Sequence, residues 1–306
     1  MKKLLPLLIV LLLLVSCNLP FSPGGAQPTS TFDANLFTSD TPQVIVVTAT
    51  PPAPEPTVEP YPTIDGTPLE LSGISMILPG CLPVIVGSEF VPAQPYDPMG
   101  GPQEIFPYHR RLLYFDYPLS GSFFNPFMRV FPLADFPTAY ALAPEDYSAP
   151  TIAALQNLLA TRPADVDGAL PFLTMAGAAQ SFHAKLAYID FANGSGIRYL
   201  TSYGQYNVPY NNHDLFYTFQ GITSDGAYWV SVIFPVNHAI LPPTYDSTIV
   251  PPGGIPIPTW DSPTYDTDMV NYYATMKAIM QGTADDTFVP GLDCLDRYIQ
   301  SLNIGG

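Results

Sequence analysis

Residues 185–236 decide the fold. They read KLAYIDFA at 185–192, NGSG at 193–196, IRYLTSYGQ at 197–205, LFYTFQG at 215–221, SDG at 224–226 and AYWVSVIFPV at 227–236. In the third apolar run Leu215, Tyr217 and Phe219 share one face. In the fourth, Tyr228, Val230, Val232 and Phe234 alternate with Trp229, Ser231 and Ile233. A period of two places successive side chains on opposite faces of a strand. Asn193-Gly194 is expected to supply the positive φ of a tight hairpin, and Ser224-Asp225-Gly226 a second turn. Strands joined by short turns pair antiparallel, so the stretch predicts a four-stranded meander as the central sheet.

Toward the C-terminus the period changes. Met269, Tyr272, Tyr273, Met276, Ile279 and Met280 recur at three and four, predicting a helix over 267–281. Asp266 or Thr267 is expected to cap its start and Gly282 its end. Leu292, Leu295, Ile299 and Leu302 repeat the pattern behind Pro290, predicting a second helix. Toward the N-terminus, strands are expected at 71–78, 82–86, 111–117 and 127–131. Ile152, Leu155, Leu158 and Leu159 mark a helix that Arg162-Pro163 ends. The fold class is therefore α+β: an antiparallel sheet packed by C-terminal helices. The globular region is assigned to residues 69–306.

Before residue 69 the composition differs. Residues 18–68 hold 11 Pro, 9 Thr and 3 Ser among 51 positions, which favours extended polyproline-type chain. Fully extended, such a tether reaches roughly 160 Å at ~3.1 Å per residue. Its one apolar run is Val44-Ile45-Val46-Val47. Ahead of it, Lys2-Lys3 precede the uncharged run Leu4–Val15. That run suits the core of a secretory signal peptide and is shorter than the ~20 residues a membrane span needs. The parse is a leader over 1–16, a tether over 17–68 and a head.

Charge excludes whole classes of function. The chain has 26 acidic and 10 basic residues. Without Lys2 and Lys3 the balance is 26 against 8. Phosphate backbones need clustered Lys and Arg, so no nucleic-acid partner is expected. Proline, at 37 residues, excludes a bundle of long helices, since each interior Pro costs about 3 kcal/mol.

Catalytic and metal motifs are absent. Gly194-Ser195-Gly196 lies in a hairpin turn and not at a strand-to-helix elbow. His109, His183, His213 and His238 are at least 25 residues apart, without metal-ligand spacing. Asp165-Val166-Asp167-Gly168 resembles part of a calcium loop but lacks its third ligand position and later Glu. The pairs Asp165/Asp167, Asp266/Asp268 and Asp285/Asp286 read as caps and solvated loop residues. No cofactor and no metal are expected. The candidate ligand face is aromatic: Tyr203, Tyr217 and Trp229 beside Asn212, within a set that includes Tyr206, Tyr210 and Tyr228. Such rings stack a sugar or a peptide, or fill one side of a half-buried sheet.

Two resemblances follow from quoted motifs. Leu14-Val15-Ser16-Cys17 resembles the lipobox of bacterial lipoproteins, which implies cleavage before Cys17 and acylation of its sulfur. The acyl chains would then hold the protein on the extracytoplasmic face of the cell membrane. The Val47-Thr48-Ala49-Thr50-Pro51 tether run resembles those of Chloroflexi-type surface lipoproteins. So do Asn193–Thr201 and Tyr217–Gly221. This resemblance implies a location and no activity. The sheet-plus-helix pattern is loosely similar to the α/β/α sandwiches of PsbP-like and Mog1-like domains, without their specific motifs. With Cys17 lipidated, Cys81 and Cys294 are the thiols left in an exported chain, and are expected to pair. The expected function is a membrane-anchored, non-catalytic binding or scaffolding head, its partners the lipid bilayer and a cell-wall glycan or envelope protein. The alternative is a secreted hydrolase whose site gathers His183, Asp190, His213 and Asp214.

Overall fold

The computed structural model describes residues 64–100, 103–174 and 177–305. The signal peptide, the lipobox with Cys17, the Val44–Val47 run and nearly all of the tether lie outside these residues. Strands β1 (Gly66–Leu71) and β2 (Ile74–Pro79) open the head, followed by β3 (Ile85–Val91), β4 (His109–Phe115) and β5 (Phe127–Pro132). A single-turn helix α1 (Phe136–Ala139) and helix α2 (Ser148–Thr161) come next. The meander is β6 (Ala179–Phe191), β7 (Gly194–Gly204), β8 (Phe216–Thr223) and β9 (Tyr228–Pro235). The chain closes with β10 (Asn237–His238), α3 (Tyr265–Gly282), β11 (Phe288–Val289), α4 (Leu292–Gln300) and β12 (Asn303–Ile304).

The expected four-stranded sheet has seven strands. Its order is β3-β4-β5-β9-β8-β7-β6, with every neighbour antiparallel. The strands β3-β4-β5 add to the meander through β5 and β9, from Phe127 opposite Ile233 to Pro132 opposite Tyr228. Two cores result. Val230, Val232 and Phe234 face α3, α4 and the β1-β2-β12 sheet. Trp229 faces the other way, with Ile197, Tyr199 and Ile222, toward α1 and α2. The α+β class and the C-terminal helices against the sheet agree with the sequence reading. The second covering layer, built on α2, was not foreseen.

Three local expectations need correction. Residues 71–78 are not one strand: Ser72 (φ 53°) and Gly73 (φ 74°) turn β1 onto β2. Both turn residues adopt the positive φ that a tight two-residue hairpin requires. β1 also starts at Gly66, inside the stretch whose composition reads as tether. The second concerns Asn193-Gly194, neither of which has positive φ. Gly194 is needed for closeness instead, because a Cβ there would lie 2.2 Å from the Phe191 ring. The Phe219 ring likewise covers Gly196 and Gly221, so these three glycines let two aromatic rings approach the sheet backbone closely. The third is α3, which is preceded by Thr264 and takes Gly282 as its last residue, with Thr283 as C-cap.

A buried charge network ties the sheet to the last helix. The Arg198 guanidinium, 5% exposed, donates to Asp296 at 2.7 and 3.1 Å, to Asp285 at 2.8 Å and to the Lys185 carbonyl at 2.7 Å. Lys185 Nζ also pairs with Asp285 at 2.9 Å, and Tyr217 donates to Asp296 at 3.0 Å. Two cations meet two carboxylates, so the cluster is neutral as a whole. Burial pushes the Asp296 carboxyl up from its ordinary value, against the pull of Arg198. Cys81, just past β2, and Cys294 in α4 are disulfide-bonded with Cα atoms 6.2 Å apart. The bridge closes a loop of 213 residues. The described residues all fall within one compact unit.

Candidate functional site

A cleft of about 350 Å³ opens at the end of the sheet where β7 stops and β8 begins. Its walls come from four separate loops, one of them the stretch ahead of β6 with Gly177 and Ala178. Phe123 and Phe124 belong to the β4–β5 connection, Tyr206 and Val208 to the β7–β8 connection, and Tyr245 to the segment after β10. Tyr203, near the end of β7, forms the floor. The volume lies within the ~300–1,000 Å³ range of small-molecule sites.

The floor is rigid. Gln180 donates to the Tyr203 hydroxyl at 3.1 Å, and the Tyr203 ring stacks near Phe216 with centroids 6.2 Å apart. Burial raises the Tyr203 hydroxyl well above its ordinary value, so it stays protonated. The rim is open: Tyr206 is 72% exposed and Tyr245 44% exposed. Unlike the rings of the core, these two present free faces to a ligand.

Among the described residues, Asp214 is the one acidic side chain that lines the cleft. It is buried, and each of its oxygens is engaged. Oδ1 lies 2.7 Å from His213 Nδ1 and accepts from the Tyr245 hydroxyl at 3.2 Å, while Oδ2 accepts from Asn211 at 3.0 Å. The Tyr245 hydroxyl is pushed above its ordinary value by burial and by the Asp214 charge. Asp214 therefore acts as a fixed negative pole that orients His213 and Tyr245. The Phe123 N–H donates to the His213 carbonyl at 2.7 Å, which docks the β4–β5 loop on this cluster.

The structure separates the sequence's candidate ligand residues. Tyr203 lines the cleft, but Trp229 and Tyr217 are fully buried, on opposite faces of the sheet. Trp229 donates from Nε1 to Gln220 at 2.8 Å, and Tyr217 is spent on Asp296. Neither has an accessible ring to offer a ligand. Asn212 donates to the carbonyls of His238 and Leu241 at 3.1 Å and accepts from the His238 N–H, so it ties two loops together. The residues of β9 alternate between the two faces as their spacing predicts, and both faces of the sheet are covered.

The four dispersed hydrolase candidates do not meet. His213 and Asp214 are in contact, but Asp190 pairs with Arg162 at 2.6 Å. His183 packs near Lys277 at 3.3 Å and Asp165 at 3.8 Å. Burial and then Lys277 hold the His183 imidazole below its ordinary value. Of the acidic pairs, Asp165 is taken by Lys277 at 2.8 Å, Asp268 accepts from Thr264 at 2.7 Å, and Asp285 serves the Arg198 network. Among the described residues no three His, Cys, Asp or Glu side chains gather in a way that suits a metal ion.

The sequence reading missed Phe123, Phe124 and Tyr245. Each stands in a loop without periodicity, and only chain packing brings them to Tyr203. An aromatic in a polar or Pro-rich loop was the available signal. No family model matches this chain, no curated protein matches it, and no solved structure matches it.

Proposed function

We propose that this protein is a lipid-anchored lipoprotein of the extracytoplasmic membrane face, whose head binds a glycan in the aromatic cleft without turning it over. The observation that carries the binding role is the cleft itself: free Tyr206 and Tyr245 faces beside a fixed carboxylate. Sugar rings present apolar C–H faces to aromatic rings and hydroxyls to acceptors, and this lining offers both. Gln205 at the rim adds an amide donor and acceptor. The anchor rests on the lipobox-like Leu14-Val15-Ser16-Cys17, and the Pro/Thr-rich stretch supplies the spacer that lifts the head from the bilayer.

A glycan array probed with the full-length chain in detergent tests the binding role. Saturable binding to a defined glycan class, weakened about tenfold or more by Tyr206→Ala or Tyr245→Ala, is the expected result. Binding that survives both substitutions, or none at all, would remove the reading. Trp229→Ala is not a suitable probe, since it opens a cavity in the core.

The hydrolase reading retains one specific observation, the His213–Asp214 contact. A carboxylate on Nδ1 sets an imidazole for base duty at Nε2. Among the described cleft-lining residues, however, there is no Ser, Thr or Cys for that base to activate. Release of a chromophore from aryl glycosides or esters by the wild type, abolished in His213→Ala, would favour hydrolysis over binding.

A further inference from the structure

A second cavity, of about 380 Å³, lies away from the aromatic cleft, where the β1–β2 turn approaches β4. Ser72, Gly73, Phe90, Tyr108, Arg110 and Tyr228 contribute to its lining. Arg110 is 9% exposed and forms no ion pair with any described carboxylate, in a chain with 26 acidic residues. The other deeply buried guanidinium, that of Arg198, is matched by two carboxylates. Arg110 Nη1 donates to the carbonyls of Ser72 at 3.0 Å and Gly305 at 2.7 Å, and its guanidinium lies 4.8 Å from the Tyr228 ring centroid. Nη2 is buried with no hydrogen-bond partner.

A buried charge without a counter-ion is costly, and a buried donor left unmade adds to that cost. Folding has fixed this guanidinium in place with two carbonyls and an aromatic face, none of which cancels its charge. We infer that Arg110 is the anchor of a binding site for a small organic acid, whose carboxylate pairs with the free Nη2 and whose apolar or aromatic body lies against Phe90 and Tyr108. Those two rings stack with centroids 5.7 Å apart and stand 55% and 52% exposed, which makes them the lightly packed part of the wall. Since Nη2 has almost no accessible surface of its own, the acid reaches it by displacing these rings slightly. Among the described residues, the walls supply the Arg110 cation, aromatic faces and no acidic side chain. That selects a monoanion with a hydrophobic body over a sugar or a multiply charged phosphate.

The test uses the full-length chain in detergent, titrated with phenylacetate and with its neutral analogue phenylacetamide, by calorimetry and by the shift in melting temperature. The expected result is one saturable phenylacetate site, with the amide at least about tenfold weaker because it cannot form the charge-assisted pair. Tyr108→Ala should weaken phenylacetate several-fold, while Tyr206→Ala in the other cleft should leave it unchanged. Arg110→Met should abolish binding. Because Arg110 also holds the β1–β2 turn, its loss can unfold the head; the amide comparison and Tyr108→Ala then decide alone. Equal binding of acid and amide, no saturable site for phenylacetate at millimolar concentration, or binding sensitive to Tyr206→Ala and not to Tyr108→Ala would overturn the assignment.

Discussion

His109 should make the head acid-sensitive over a defined window. Its ring sits in β4, 1% exposed, between Phe106 and Phe131 at centroid distances of 5.0 and 4.4 Å. Nδ1 donates to the Pro107 carbonyl at 2.9 Å, and Nε2 is buried with no partner. Protonation would place a charged N–H there with nothing to receive it. Burial therefore lowers the imidazole from 6.5 to about 4; Arg129 and Arg111 add to the shift, while the Pro107 carbonyl and Glu89 oppose it. The unfolded chain takes up a proton near the ordinary value and the folded chain does not, so between those limits the unfolded state binds more protons. The stabilisation is complete above pH 6.5 and is lost as pH falls toward 4. Linkage with these limits, discounted for screening, gives a loss of about 1–2 kcal/mol at pH 5 relative to pH 7. His109→Phe keeps the aromatic packing and removes the titration, at a cost of about 1 kcal/mol for the missing Nδ1 hydrogen bond. Urea denaturation of both proteins at pH 7 and pH 5 is the assay. The wild type should lose more stability than the variant by that amount; His183 and His238, whose imidazoles are also held low, titrate in both and cancel. Parallel losses in the two proteins would refute the reasoning.

Other perturbations reach different parts of the fold. Reducing the Cys81–Cys294 bond releases a 213-residue loop, for which chain entropy sets an upper figure of about 5 kcal/mol. The melting temperature should drop in dithiothreitol, and an unchanged value would argue against the bond. Arg198→Met strips the cation that Asp296 and Asp285 share and should cost about 3–5 kcal/mol, as removal of one partner from a buried network does; a chemical-denaturation midpoint close to wild type would show the network to be dispensable. Gly196→Ala would put a Cβ 2.4 Å from the Phe219 ring and 2.6 Å from a backbone carbonyl, so low yield or a strongly reduced melting temperature is expected. Cys17→Ala should shift the protein from the membrane fraction to the soluble one or leave the leader uncut, read by fractionation and intact mass; wild-type mass and location would count against acylation.

Period-two alternation and helical spacing are local signals, written in residues that touch along one element. That is why 185–236 read as a meander, 267–281 and 292–302 as helices, and the whole as α+β. The lipobox-like tetrapeptide and the Pro/Thr content are local in the same sense. Alternation does not say what covers a face. Tyr217 and Trp229 serve a ligand only if one side of the sheet is open, yet each side carries its own core. Nor does alternation announce a partner strand: β5 and β9 pair across about 95 intervening residues, a choice made by edge complementarity and loop closure. The cleft is non-local to the same degree, since Phe123, Tyr203 and Tyr245 meet only after the loops fold back over the sheet end. Sequence alone determined the class of elements and their order, because backbone propensity acts over a few residues. Tertiary structure decided which aromatics stay accessible and which arginine has no counter-ion among the described residues, because burial and charge pairing depend on neighbours far along the chain.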